Sequence, residues 1–181
     1  MKKIKLPASP SELESLEIGE KVLLSGTIYT ARDAAHQRLV KLLQTGQALP
    51  FPLPDSALYY VGPAPTPPGK IIGSAGPTTS YRMDPFTPLL LQNGLKITIG
   101  KGQRSKQVRQ AMQKYQAVYL VAIGGAAVVI AQAIKQAEII AYADLGAEAI
   151  HKLQVEDFPC IVANDLAGND LFEIGVNKYK K

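Results

Sequence analysis

The chain has 181 residues, 46% of them hydrophobic and 19% charged, at a mean hydropathy of +0.02, which is enough apolar surface to offset the entropy of ordering it. Wholesale disorder is excluded, as is a division into two ordinary domains, and residues 1–181 read as one domain with short basic ends at 1–10 and 176–181. Twenty Lys and Arg against 15 Asp and Glu give a formal charge of +5, which points to an anionic ligand or partner, while the lack of Trp and of any basic-aromatic repeat argues against nucleic acid.

The opening MKKIKLPASP has basic residues with no apolar run behind them, so no secretory signal is expected and a cytoplasmic setting is. Lys2 and Lys3, like Lys178, Lys180 and Lys181, read as solvated ends. Lys21–Tyr29 is a β-rich apolar run and predicts a strand. Thr30 then reads as a helix N-cap, with Asp33 three residues on in the manner of a capping box and Leu39, Leu42 and Leu43 as the apolar stripe. Ten of the thirteen prolines fall between Pro50 and Pro88, which predicts loops joining short strands at Tyr59–Val61 and Lys70–Ile72, with Gly62–Gly69 as a stiff connector. Lys96–Ile99 predicts a strand, and Ser105–Tyr115 a helix with a basic face. Gln116–Ile134 is uncharged but rich in Ala and Gly, too weakly apolar for a membrane span. It reads as a strand at Ala117–Ile123, a glycine turn, and a helix from Ala126 to about Gln136. A strand at Glu138–Ala143 follows, making a strand-helix-strand unit that predicts a parallel pair. This order predicts an α/β domain with mixed sheet layers.

The lone cysteine, Cys160, excludes an intrachain disulfide and leaves no ligand set for zinc or an iron–sulfur cluster from this chain, so it reads as a small core residue and no metal ligand is assigned. Three glycine-flanked segments, 26–33, 73–84 and 99–104, each place a cation beside flexible backbone, where main-chain N–H groups and a charged side chain can approach an anion closely. Taken singly, Arg32 can be a solvated first-turn residue and Gly100-Lys-Gly102 a tight turn; together the three segments suggest a small polyanionic ligand. Asp33 fits as a first-turn acid, and His36, one turn after Arg32, as a group orienting Arg32 or a loop. Gly124-Gly125 fits either an anion site at a helix start or close packing.

Arg32-Asp-Ala-Ala-His36, Gly76-Pro-Thr-Thr-Ser-Tyr-Arg-Met-Asp84 and Gly100-Lys-Gly102 carry a resemblance, together with Gly124-Gly-Ala-Ala127, Asp144-Leu-Gly146 and Glu156-Asp-Phe-Pro159. Over about residues 19–172 the chain resembles the β subunit, or carboxy-terminal domain, of the iron–sulfur-dependent class I fumarases and the L(+)-tartrate dehydratases. The resemblance implies a swivelling β/β/α domain. It also implies a [4Fe–4S] cluster carried by the cysteines of a separate α subunit, not ligated by this chain, and a small dicarboxylate substrate bound between the two. By matching motifs, Arg32, Arg82 and Lys101 correspond to carboxylate binders and Thr78 to the proton-transfer residue. Asp33, His36 and Thr79 remain secondary candidates, since periodicity does not rank adjacent loop residues. A threonine hydroxyl alone is a poor base, so Thr78 needs a partner group from the α subunit. The expected activity is reversible hydration of fumarate to L-malate by a hetero-oligomer, with this chain a free-standing subunit, given its start at Met1 and its length, and inactive by itself. The alternatives are a tartrate dehydratase β subunit or a non-catalytic dicarboxylate-binding module. Thr30-Ala-Arg-Asp-Ala-Ala-His36 and Arg82-Met-Asp84 favour the fumarase form.

Overall fold

The computed structural model describes residues 1–122 and 127–180. Its strands are β1 (Lys2–Lys5), β2 (Lys21–Thr30), β3 (Ala57–Tyr59), β4 (Ile97–Gly100), β5 (Val118–Ala122), β6 (Ile134–Ala141) and β7 (Ile150–Asn164). Its α-helices are α1 (Pro10–Glu14), α2 (Asp33–Gln44), α3 (Thr87–Gln92), α4 (Lys106–Tyr115), α5 (Ala127–Ala133) and α6 (Leu171–Tyr179), with 3-10 turns at Ser80–Met83 and Ala143–Glu148. Among the described residues no helix is long and apolar enough to cross a membrane.

β2, β3, β4 and β5 run parallel as neighbours, and β7 lies antiparallel against both β5 and β2, so the ladder closes on itself. β1 adds to β2 in parallel and β6 to β7 in antiparallel. Alternation along each strand then separates two cores. Val22, Leu24, Ile28, Tyr59, Ile97, Ile99, Leu120, Phe158, Cys160 and Val162 fill the space between the parallel and antiparallel leaves. Leu58, Tyr60 and Tyr119 point the other way, onto Leu39, Leu90, Leu91, Val108 and Met112 of α2, α3 and α4. The result is the mixed α/β architecture with a mixed sheet that the element order predicts. Cys160 is a core residue, facing Val22 on one side and Ala122 on the other.

Several expectations are corrected. The parallel pair predicted around the alanine-rich helix does not form as neighbours, because β7 sits between β5 and β6. The helix there ends at Ala133, and β6 begins at once with Ile134. Its predicted start at Ala126, Ile123 and the Gly124-Gly125 turn lie outside the described residues. Lys70–Ile72 is a bend, not a strand. The amino-terminal end is not merely solvated, since β1 pairs with β2 and inserts Ile4 into the core, whereas Lys178 and Lys180 at the other end are exposed as expected. Thr30 is the last residue of β2, buried, and not an N-cap; its hydroxyl accepts the His151 N–H at 2.9 Å. The N-cap of α2 is Arg32, with no side-chain cap of its own.

Candidate active site

Because β2, β3 and β4 are adjacent and parallel, their carboxyl ends lie along one edge, with β2 and β4 about 10 Å apart at the usual strand spacing. Ligands of parallel α/β sheets, closed as well as open, gather at such ends. Each strand passes there into one of the loops singled out by sequence. From β2 the chain continues through Ala31, whose N–H donates to the Tyr59 carbonyl at 3.1 Å, to Arg32 and the start of α2. Past β3 come Tyr60 and Gly62, and the Thr78 N–H returns to donate to the Tyr60 carbonyl at 2.8 Å. β4 ends at Gly100; Thr79 bridges Lys101 in parallel, and the Ser80 N–H donates to the Lys101 carbonyl at 2.8 Å.

The structure thus brings Thr78, Thr79 and Arg82 onto one short turn, bridges that turn to Lys101, and joins it to Arg32 through Asp33. The Asp33 carboxylate accepts from Arg82 Nε at 3.0 Å and stands 4.0 Å from Arg32 Nε. Arg32 Nε is buried without a hydrogen-bond partner among the described residues, as is the second Asp33 oxygen. An unpaired buried donor on a guanidinium favours an incoming carboxylate. Arg82 is 45% exposed, and Lys101 is exposed. Asp33 is therefore the hinge between two cations and not only a first-turn acid.

His36 is fully buried in α2, and its Nδ1 donates to the Arg32 carbonyl at 2.8 Å. Burial, with Arg104 nearby, pushes its pKa down from an ordinary 6.5 to about 4, so the ring is neutral and holds the Arg32 backbone.

Two supporting features escape a sequence reading. Gly100 is required by a close approach: a Cβ there would overlap the Ser80 hydroxyl, which accepts the Lys101 N–H at 3.0 Å and lies 2.9 Å from the Tyr119 hydroxyl. Arg104, in the same segment as Lys101, is unavailable to a ligand. Its side chain is wholly buried, donating to Asp84 at 2.7 Å and to Thr87 at 2.7 Å, with its guanidinium between the Tyr60 and Tyr119 rings. Asp84 also accepts the Ser105 N–H at 2.6 Å, so this pair ties the turn bearing Arg82 to the loop bearing Lys101. No group of three or more His, Cys, Asp and Glu residues able to hold a metal forms among the described residues, and burial pushes the Cys160 thiol well above the usual range, so the donor set here does not fit a cluster.

The sequence model of the family described as fumarase C-terminus matches residues 1–175. The chain is 45% identical to the anaerobic class I fumarate hydratase of Escherichia coli K12 over 93% of its own length and 31% of that enzyme's. It is 44% identical to the mitochondrial fumarate hydratase 1 of Leishmania major, again over 93% of this chain and 31% of the relative. Against the L(+)-tartrate dehydratase subunit beta of Escherichia coli K12 it is 33% identical over 94% of this chain and 87% of the relative. The chain therefore spans about a third of the fumarate hydratases it matches but nearly all of the tartrate dehydratase subunit. With its motifs on one edge of a mixed α/β sheet and the family model covering nearly its whole length, this chain belongs to the fumarase C-terminal family.

Proposed function

We propose that this chain is the dicarboxylate-binding half of a hydro-lyase, working with a cluster-bearing α subunit in the reversible hydration of fumarate to L-malate. The observation that supports it most directly is the convergence of Arg32, Arg82 and Lys101 at the carboxyl ends of three adjacent parallel strands, with a guanidinium donor left unpaired. A trans-dicarboxylate needs cations at both ends, and the planar fork of arginine matches a carboxylate where a lysine supplies a point charge. Removing a proton from the carbon next to a carboxylate moves negative charge onto that carboxylate's oxygens. Fixed cations there stabilise the transition state more than the ground state. Thr78, whose backbone is anchored to Tyr60 at the same edge, is the residue to relay that proton to a base on the partner. A [4Fe–4S] cluster on the partner would supply the Lewis acid for the departing hydroxyl.

The second reading, the β subunit of an L(+)-tartrate dehydratase, is favoured by the near-complete coverage of that relative, whereas the higher identity favours fumarate hydratase. Anaerobic reconstitution of this chain with its α subunit, assayed on fumarate, L-malate and L(+)-tartrate, separates them. Turnover of fumarate and malate by the pair, and none by this chain alone, is expected. Preferential tartrate turnover selects the second reading, and appreciable activity of this chain alone, or none by the pair on any of the three, overturns the shared-site hydro-lyase.

A further inference from the structure

We propose that Glu148 is the positioning residue for Arg32: one carboxylate that both starts α2 and fixes the angle of the Arg32 guanidinium. The proposal rests on the reading of Arg32 as a substrate cation. α2 begins at an arginine, which has no side-chain oxygen to cap the exposed N–H groups, and its positive charge sits at the positive end of the helix dipole. Glu148 answers both problems from a remote part of the chain. Its Oε2 accepts the Ala34 N–H at 2.9 Å, and its Oε1 stands 3.6 Å from Arg32 Nη2, an ion pair and not a hydrogen bond. Both side chains are about three-quarters buried, at 22% and 24% exposure.

The glutamate is itself held. Ala149, its neighbour, has its N–H on the Gly146 carbonyl at 3.0 Å, and the Thr30 hydroxyl accepts the His151 N–H at 2.9 Å, pinning the 149–151 backbone to the end of β2. Arg38 of α2 pairs with Asp144 at the other end of the same 3-10 segment. Gly62 lies close against the guanidinium, where a Cβ would lie 2.9 Å from Arg32 Nη1 and 3.0 Å from the Ala147 carbonyl. The guanidinium is therefore confined by Gly62, Glu148 and Asp33, while its Nε, 4.0 Å from Asp33, makes no hydrogen bond among the described residues. A guanidinium fixed by Glu148 that still holds a donor without a hydrogen bond is oriented for a ligand without being consumed by its own protein.

The test uses the complex with the cluster-bearing subunit and steady-state kinetics on whichever of fumarate or L(+)-tartrate the complex turns over, for Glu148→Gln, Arg32→Ala, the double variant and Gly62→Ala. Glutamine keeps an oxygen for the Ala34 N–H but loses the charge, so the melting temperature should stay within a few degrees while KM rises about fivefold and kcat stays within about twofold. In the Arg32→Ala background the same substitution should add nothing. Gly62→Ala, which crowds the guanidinium and leaves Glu148 in place, should raise KM in the same direction, and it carries the test if the glutamine variant does not assemble. An unchanged KM in Glu148→Gln or in Gly62→Ala, with KM raised in Arg32→Ala, overturns the positioning role and leaves the substrate role of Arg32 standing. A KM rise that persists undiminished in the Arg32→Ala background also overturns it. If Arg32→Ala itself leaves KM unchanged, the substrate role of Arg32 falls and the positioning role with it.

Discussion

Removing the Asp84 carboxylate leaves the Arg104 guanidinium fully enclosed with no counter-ion. The two side chains are 9% and 0% exposed, Asp84 Oδ1 accepts from Arg104 Nε at 2.7 Å, and Oδ2 accepts the Ser105 N–H at 2.6 Å. Taking one partner from a buried pair costs about 3–5 kcal/mol, because the remaining charge stays desolvated. The Tyr60 and Tyr119 rings, 5.2 and 5.0 Å from the guanidinium carbon, and the Thr87 hydroxyl offset part of that. The lost Ser105 bond adds about 1 kcal/mol in the other direction. Asp84→Ala should therefore destabilise the chain by about 4 kcal/mol, lowering the melting temperature by about 8–16 °C for a protein of this size. Arg104→Met leaves Asp84 bonded to Ser105 at the edge of solvent and should cost about 2 kcal/mol. The double variant should be more stable than the sum of the two losses by at least about 2 kcal/mol. Urea unfolding of the four proteins, followed by far-ultraviolet circular dichroism, gives all three quantities. Loss of less than about 1 kcal/mol in Asp84→Ala, or strict additivity, would refute the reasoning that this pair is a desolvated unit.

Two further predictions concern the site. In the reconstituted enzyme Thr78→Val should lower turnover by about 10²–10⁴ with little change in KM, and Thr79→Val should do much less, since Thr79 is tied to Lys101 through its backbone and that bridge survives the substitution; the reverse order would move the relay to Thr79. His36 has its pKa lowered from 6.5 to about 4 in the fold, so the unfolded chain takes up the proton first as pH falls. Its contribution is fully present above about pH 6.5 and lost towards pH 4, worth up to about 3 kcal/mol. His36→Asn, which keeps a donor for the Arg32 carbonyl, should flatten that acid limb in urea unfolding at stepped pH; an unchanged slope would show that other groups carry it.

Lys101 was legible between two glycines, and Arg32 and Arg82 in the motifs that carry the family resemblance, but their meeting was not, since it depends on β2, β3 and β4 being neighbours. Two physical features hid the rest. β7 alternates correctly through Leu153 and Val155, then breaks at Glu156-Asp157, where Asp157 has a φ of +51° and the register with β2 shifts near Ser25, before resuming at Phe158, Cys160 and Val162. A bulge of this kind splits one long strand into two short apolar runs. Glu148 lies 114 positions from Ala34, whose N–H it accepts, and a cap supplied from that distance leaves no local spacing to read. Arg104 lies in the same glycine-flanked segment as Lys101, and only the packing of Tyr60 and Tyr119 shows that it is interior.

The exposure of the cations decides what this chain can do by itself. Arg82 is 45% exposed, Lys101 is exposed, and Asp33 already occupies one donor of Arg82. Ion pairs in contact with water are worth at most about 1 kcal/mol each and one from the three-quarters-buried Arg32 about 2 kcal/mol, so together they give about 4 kcal/mol, which corresponds to a Kd of about 1 mM. The same contacts strengthen severalfold when a covering surface excludes water, because the effective dielectric falls while the geometry stays fixed. Fumarate titrated into the isolated chain should thus bind no tighter than about 1 mM at 0.15 M salt, and more weakly still as salt is raised. In the assembled complex the affinity should be at least about tenfold higher and much less dependent on salt. The measurement is chemical-shift perturbation of the backbone amides of residues 30–34, 76–82 and 100–102 in the isolated chain, beside equilibrium binding to the complex. Micromolar binding by the isolated chain would mean that the three cations are preorganised and desolvated without a partner, and the case for a shared site would lose its physical basis.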